Sequence, residues 1–181
     1  MVPAVLILTL AWTLKSMTDS LGAAEYVSGV VASSASGLQM LLPAIIFIVA
    51  ALLAFATGTS WGTFGILIPI CIAVFPAAAP LRIISISACM AGAVCGDHIS
   101  PISDTTIMAS AGAECKHVHH VSSQLPYAMT VAAVSFLTFV VAGFTQQLGI
   151  VASAAISWIL GIAMIFSALW ILKRIGSRQP R

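Results

Sequence analysis

Two aspartates stand seven residues apart inside an otherwise apolar stretch, in the block Gly96-Asp97-His98-Ile99-Ser100-Pro101-Ile102-Ser103-Asp104-Thr105-Thr106. Carboxylates and freed backbone carbonyls are oxygen ligands for a hard cation such as sodium. Pro101 lacks an N–H and clashes with the preceding turn, so a helix running through this block unwinds near Ser100-Pro101 and frees carbonyls there. A regular helix would place the two carboxylates on one face, two turns apart. Once unwound, one or both can turn toward a common cavity, where two neighbouring carboxylates in a low dielectric cannot both ionise freely. Such a carboxylate takes either a proton or a sodium ion, and binding one excludes the other. Asp104, set among Ser103, Thr105 and Thr106, has more oxygen neighbours and is the first candidate for the ion. Asp97, beside His98, is the second, with proton transfer as its further role. Ser100 belongs to the same set. The plainer alternative is an extramembrane loop with two solvated aspartates.

A second polar cluster lies upstream: Thr57-Gly58-Thr59-Ser60-Trp61-Gly62-Thr63. Its threonines and Ser60 offer hydroxyl oxygens, and Gly58 and Gly62 let backbone approach an ion or a neighbouring helix. Trp61 suits a plug and an interface position equally. A hairpin turn selected for flexibility alone is the simpler reading. Gly92 and Gly96, with Ala88 and Ala91 nearby, form a GxxxG spacing that reads as helix packing rather than ligand contact. Lys15 and Asp19, four residues apart, share a helix face and can neutralise each other; Asp19 is also an accessory cation or proton candidate, as His98 is near the main block. Glu25 reads as a solvated or interfacial charge. Cys115, His117, His119 and His120 lack zinc-type spacing and read as a solvated loop, with pH sensing through the imidazoles as the alternative. Cys71, Cys89, Cys95 and Cys115 contain no CxxC pair and read as packing residues.

The elements that must carry these groups follow from composition. Of 181 residues, 60% are hydrophobic and only 7% charged, and the mean hydropathy is +1.11. Soluble domains carry about 25% charged residues, so this chain could not cover its own surface in water, whereas lipid solvates apolar side chains. The expectation is an all-α integral membrane protein forming a single membrane domain over residues 1–181. It divides into a first helix at 1–31, a helical hairpin at 38–79 with its tip at 57–63, and a broken helix at 82–113 with its break at 97–106. A cytoplasmic loop at 114–125, spanning helices at 126–145 and 150–172 and a basic tail at 173–181 complete it. Lys173, Arg174, Arg178 and Arg181 place the C-terminus in the cytoplasm by the positive-inside rule, with Trp170 as an aromatic anchor. Counting back puts both ends of the hairpin outside and its tip at mid-membrane; two full spans are the alternative. The net charge of +2, concentrated at the tail, argues against a nucleic-acid partner, and no charged segment precedes the first apolar run as a signal peptide requires.

The residues from Phe55 to Gly65 and from Gly96 to Thr106, followed by Gln124-Leu125-Pro126-Tyr127, resemble the signature segments of the NhaC-type sodium/proton antiporter family. That family belongs to a wider ion-transporter group with inverted repeats, each repeat contributing a re-entrant hairpin and a broken helix. The resemblance implies that residues 57–63 are the hairpin tip and residues 97–106 the unwound break of the C-terminal repeat. It also implies a length more than twice this one, so the chain looks like half of such a fold, with a missing N-terminal repeat or partner half. The implied activity is secondary active transport in the inner (cytoplasmic) membrane, exchanging sodium for protons. Exchange of small carboxylates such as malate or lactate is the alternative, and so is a fragment inert by itself. Sodium and protons would be transported ions, with no cofactor; the other partners are the lipid bilayer and, in a homo-oligomer, further copies. An intramembrane enzyme is disfavoured: the aspartyl-protease Gly-x-Gly-Asp is not matched by Val94-Cys95-Gly96-Asp97, HExxH does not occur, and Gly58-Thr59-Ser60-Trp61-Gly62 matches GxSxG in letters only, lying between two apolar runs rather than at the strand-to-helix turn of a nucleophile elbow.

Overall fold

The computed structural model describes residues 36–176 continuously, with Thr13, Ser16, Met17, Ser20, Leu21 and Gly22. The expected first helix at 1–31, the Lys15–Asp19 pair, Glu25 and the tail beyond 176 therefore lie wholly or largely outside the described residues. Within them the chain is helical, without strands. The elements are α1 (Ser36–Thr57), α2 (Ser60–Val74), α3 (Pro80–Ile99), α4 (Asp104–Gly112), α5 (His117–Thr145), a 3-10 turn (Gln146–Leu148) and α6 (Ile150–Gly176). Four helices, α1, α3, α5 and α6, are long and apolar enough to cross a membrane.

Helix α3 is the centre of the bundle, and its sequence explains why. Ser85, Ala88, Cys89, Gly92, Ala93, Gly96 and Asp97 are all buried, and they recur at helical spacing as one stripe of small side chains. Lipid is as apolar as leucine, so helices in a membrane associate through close packing, which small residues permit. A Cβ on Gly92 would collide with the carbonyl of Phe47, and one on Gly96 with that of Ala51. Ala44, Phe47, Ala50 and Ala54 form the buried face of α1 opposite them. The GxxxG spacing is thus a helix-packing device. Because contacts advance in steps of four on both helices, α1 and α3 run parallel.

Helix α2 returns antiparallel to both, with Ser60 reaching Asp97 at one end and Cys71 packed in one cluster with Cys89 further along. All four cysteines are free thiols. Helix α5 is antiparallel to α3. Its Gly143 sits on the carbonyl of Met40, its Phe139 ring lies 5.7 Å from that of Phe47, and its Gln124 reaches the far end of α3 at His98. Helix α6 packs along α5 through Ser153 and Gly161, which contact Thr145 and Thr138. The outward residues Val151, Trp158, Ile159 and Phe166 are exposed, as lipid contact requires.

Three boundaries differ from the sequence reading. The irregular part of the tip is only Gly58-Thr59: Thr57 ends α1, and Ser60 to Thr63 form the first turn of α2. The break is Ser100 to Ser103 rather than 97–106, because α3 continues to Ile99 and Ser103 caps α4 by accepting from the Thr106 N–H. The stretch 114–125 is not a loop throughout, since α5 begins at His117. Hydropathy marks where a helix becomes apolar, not where its hydrogen bonds start, and residues 117–124 hold no glycine or proline to stop it.

Candidate functional site

The turn at Gly58-Thr59 and the break at Ser100 to Ser103 meet. Gly58 has φ +67°, the left-handed region that glycine tolerates, and a Cβ there would stand 2.8 Å from the carbonyl oxygen of Ile102. Ser100 Oγ donates to the carbonyl of Phe55 at 2.8 Å, tying the break to the last turn of α1. Ends of four helices therefore converge: the C-termini of α1 and α3, and the N-termini of α2 and α4.

Asp97 lies at this convergence and is only 3% exposed. Its carboxylate is met by hydroxyls from two helices and the break. Ser103 Oγ donates to Oδ1 at 2.6 Å, while Ser60 Oγ and Thr105 Oγ1 stand 3.3 and 3.4 Å from Oδ2. Thr105 Oγ1 is also 2.7 Å from Ser103 Oγ. The two carboxylate oxygens are thus unequal, Oδ1 held tightly and Oδ2 loosely. An ionised carboxylate this deeply buried costs several kcal/mol unless hydrogen bonds or a cation satisfy it. Hydrogen bonds to a charged acceptor contribute about 1.5–3 kcal/mol each, and the long contacts at Oδ2 fall short of that. The cluster is built of oxygens alone, the donor set of hard cations. Among the described residues there is no group of three or more His, Cys, Asp or Glu side chains placed to hold a metal.

The other sequence candidates fall in different places. Asp104 is exposed at the start of α4, where its Oδ1 accepts the N–H of Thr105. Thr57 and Thr63 donate to carbonyls of their own helical turns, those of Leu53 and Thr59, and Thr106 donates to the carbonyl of His98. A Cβ on Gly62 would meet only the Thr59 side chain. Thr59 caps α2 without a side-chain hydrogen bond, Trp61 is 69% exposed, and His98 turns its Nδ1 to the carbonyl of Val94. His117 does not belong to a solvated loop: its Nε2 lies 2.7 Å from the carbonyl of Pro101 and its Nδ1 3.1 Å from Ser110 Oγ. Sequence reasoning missed that contact and the reach of Gln124 to the carbonyl of His98 at 3.0 Å. The available signals were the place of Gln124 in a family-like segment and the spacing of seven residues, which puts both on one helix face once the helix is known to start at His117.

The family model for the Na+/H+ antiporter family matches residues 1–144, which include both polar segments and nearly all of α5. The chain belongs to this family. A protein of Haemophilus influenzae whose function is not characterised is 48% identical over 145 residues, 80% of this chain and 28% of that one. The malate-2H(+)/Na(+)-lactate antiporter of Bacillus subtilis is 33% identical over 113 residues, covering 60% of this chain and 24% of its own length. The arginine/ornithine antiporter ArcD of Halobacterium salinarum is 32% identical over 117 residues, 62% and 24% respectively. The chain thus spans about a quarter of the length of these curated relatives. No solved structure matches it. Family membership and four apolar helices of spanning length make it a multi-pass membrane protein.

Proposed function

We propose that this chain supplies the ion-coupling part of an antiporter, in which Asp97 binds sodium and protons in alternation. The observation that carries the reading is the buried Asp97 carboxylate with oxygen neighbours only, lying where the α1–α2 turn meets the α3–α4 break. Oδ2 is the atom at which the cargo ion or proton is held. There Ser60 and Thr105 can turn lone pairs toward a cation, or keep donating to the carboxylate. Asp104, exposed in the first turn of α4, is the lesser candidate. In inside-out vesicles containing the complete transporter, Asp97→Asn abolishes sodium-dependent proton movement and Asp104→Asn retains it. A fully active Asp97→Asn protein sinks the assignment.

The hairpin and broken helix belong to one repeat of an inverted-repeat fold, and the other repeat, in the same protein or a partner chain, completes the site. Binding sites between such repeats are the rule for broken-helix transporters. The 22-residue α1 is about 33 Å long and the 15-residue α2 about 22 Å, so a re-entrant hairpin here has one long and one short arm. Lys173 and Arg174 at the end of α6, with Arg174 stacked 4.0 Å over Trp170, favour a cytoplasmic C-terminus in the inner membrane. A cysteine at Gln147 is then labelled by an impermeant thiol reagent from outside; labelling from the cytoplasmic side alone reverses the orientation.

Carboxylate or amino-acid exchange is the second reading, favoured by the malate/lactate and arginine/ornithine relatives. A substrate carboxylate calls for a cationic partner, and no hydrogen-bond partner of Asp97 is basic. In this reading the chain still carries the coupling ion, and the organic substrate meets the remainder of the transporter. Vesicles in which malate, lactate or arginine stimulates proton movement, and sodium alone does not, select it over sodium/proton exchange.

A further inference from the structure

Interrupting a helix in an apolar surrounding leaves backbone carbonyls without donors, and each must find a partner or remain at a cost. Three carbonyls at the meeting point are served by side chains. Phe55 receives Ser100, His98 receives Gln124 at 3.0 Å and Thr106 at 3.4 Å, and Pro101 receives His117 at 2.7 Å. Two of the donors, His117 and Gln124, lie on one face of α5, outside both polar segments. A carbonyl only accepts, so His117 donates from Nε2 to Pro101, while its Nδ1 lies 3.1 Å from Ser110 Oγ, whose own proton goes to the carbonyl of Ile107. One imidazole ring therefore spans the break, with one nitrogen on Pro101 ahead of α4 and the other on Ser110 within α4.

We infer that His117 and Gln124 are positioning residues for the ion site, fixing the path of residues 100–103 so that Ser103 meets Asp97. The inference rests on the Asp97 reading above. Ser103 lies two residues beyond Pro101, and its 2.6 Å contact with Asp97 Oδ1 exists only while the break keeps this course. The same contacts turn the carbonyls of His98 and Pro101 toward protein donors, which leaves the side-chain oxygens around Asp97 as the ion's main ligands. The start of α5 is thereby part of the ion site's frame, although it touches neither carboxylate.

The test is sodium-dependent proton movement in inside-out vesicles containing the complete transporter, measured against sodium concentration. His117→Ala raises the sodium concentration for half-maximal rate about tenfold and changes the maximal rate less than about twofold, the pattern of weakened ion binding. His117→Gln restores the wild-type value, because the glutamine Nε2 stands as many bonds from Cα as the imidazole Nε2. His117→Asn, which reaches only as far as Nδ1, does not. Gln124→Leu raises the half-maximal concentration about threefold, again by weakened binding. If His117→Ala is lost from the membrane, the Gln and Asn variants decide by the same comparison. Unchanged half-saturation in His117→Ala, or equal behaviour of His117→Gln and His117→Asn, overturns the inference. Asp97→Asn separates the two levels. If it is inactive while His117→Ala binds sodium normally, the ion site stands and the positioning role falls; if it is active, both fall.

Discussion

Hydroxyl side chains are abundant in both the α1–α4 junction and the α5–α6 arm, and they behave differently in the two. Along α5 and α6, Thr130, Thr138, Thr145 and Ser167 each donate to the carbonyl four residues back on their own helix. These groups find an acceptor within their own helix, which makes them tolerable in an apolar surrounding, and Thr145 also meets Ser153 of α6. At the junction, Ser60, Ser103 and Thr105 instead turn toward a carboxylate that other elements bury. Thr57 and Thr63 lie at the junction and yet follow the α5 pattern. Residue type therefore says little about which hydroxyls join the Asp97 cluster. The destination of the hydroxyl proton says more, and it depends on whether a neighbouring helix brings a stronger acceptor than the carbonyl one turn back.

The largest effect that this contrast predicts is at the carboxylates. Asp97→Asn lowers sodium-dependent proton movement at least about 100-fold, a loss of roughly 3 kcal/mol or more of stabilisation, while Asp104→Asn stays within about threefold of wild type, as expected for a solvent-screened charge. Equal losses in the two variants would erase the distinction between buried and exposed aspartate. Next comes Ser103→Ala, which removes the short bond to Oδ1. A charge-assisted bond contributes about 1.5–3 kcal/mol, so the sodium concentration for half-maximal rate shifts by roughly 10-fold or more; an unaltered value would show that Oδ1 needs no anchor. The smallest effects separate the two hydroxyl patterns themselves. Thr63→Val and Thr138→Val keep the branched shape and lose only a local bond to their own helix. Both therefore change sodium half-saturation less than about twofold, whereas Ser60→Ala shifts it more. A Thr63→Val protein as impaired as Ser60→Ala would place Thr63 at the ion after all.

Much of the architecture was legible in the residues. The scarcity of charge fixes a membrane protein whatever the fold, because no water-exposed surface could be built from this composition. Pro101 offers local reasons for an interruption, the missing N–H and the clash with the preceding turn, and the backbone leaves helical form at Ser100, whereas Pro43, Pro69 and Pro126 sit within continuous helices. Gly92 and Gly96 announce close helix packing by spacing alone. The start of α5 was not legible, because hydropathy is blind to a polar turn that remains helical.

The choice between the two aspartates belongs to the tertiary structure. Counting oxygen-bearing neighbours along the chain favours Asp104, flanked by Ser103, Thr105 and Thr106. Two of those neighbours, Ser103 and Thr105, reach across the break to Asp97 instead. Asp104 sits in the first turn of α4 with its side chain exposed. Asp97 continues the small-residue stripe that seats α3 against α1 and is buried with it. Burial depends on which face of a helix meets its neighbours, and hydrogen-bond partners depend on what those neighbours bring. Neither is a property of residues adjacent in sequence, so the chain alone determined that a polar break exists, and only the packing of α1, α2 and α4 around the end of α3 decided which carboxylate it encloses.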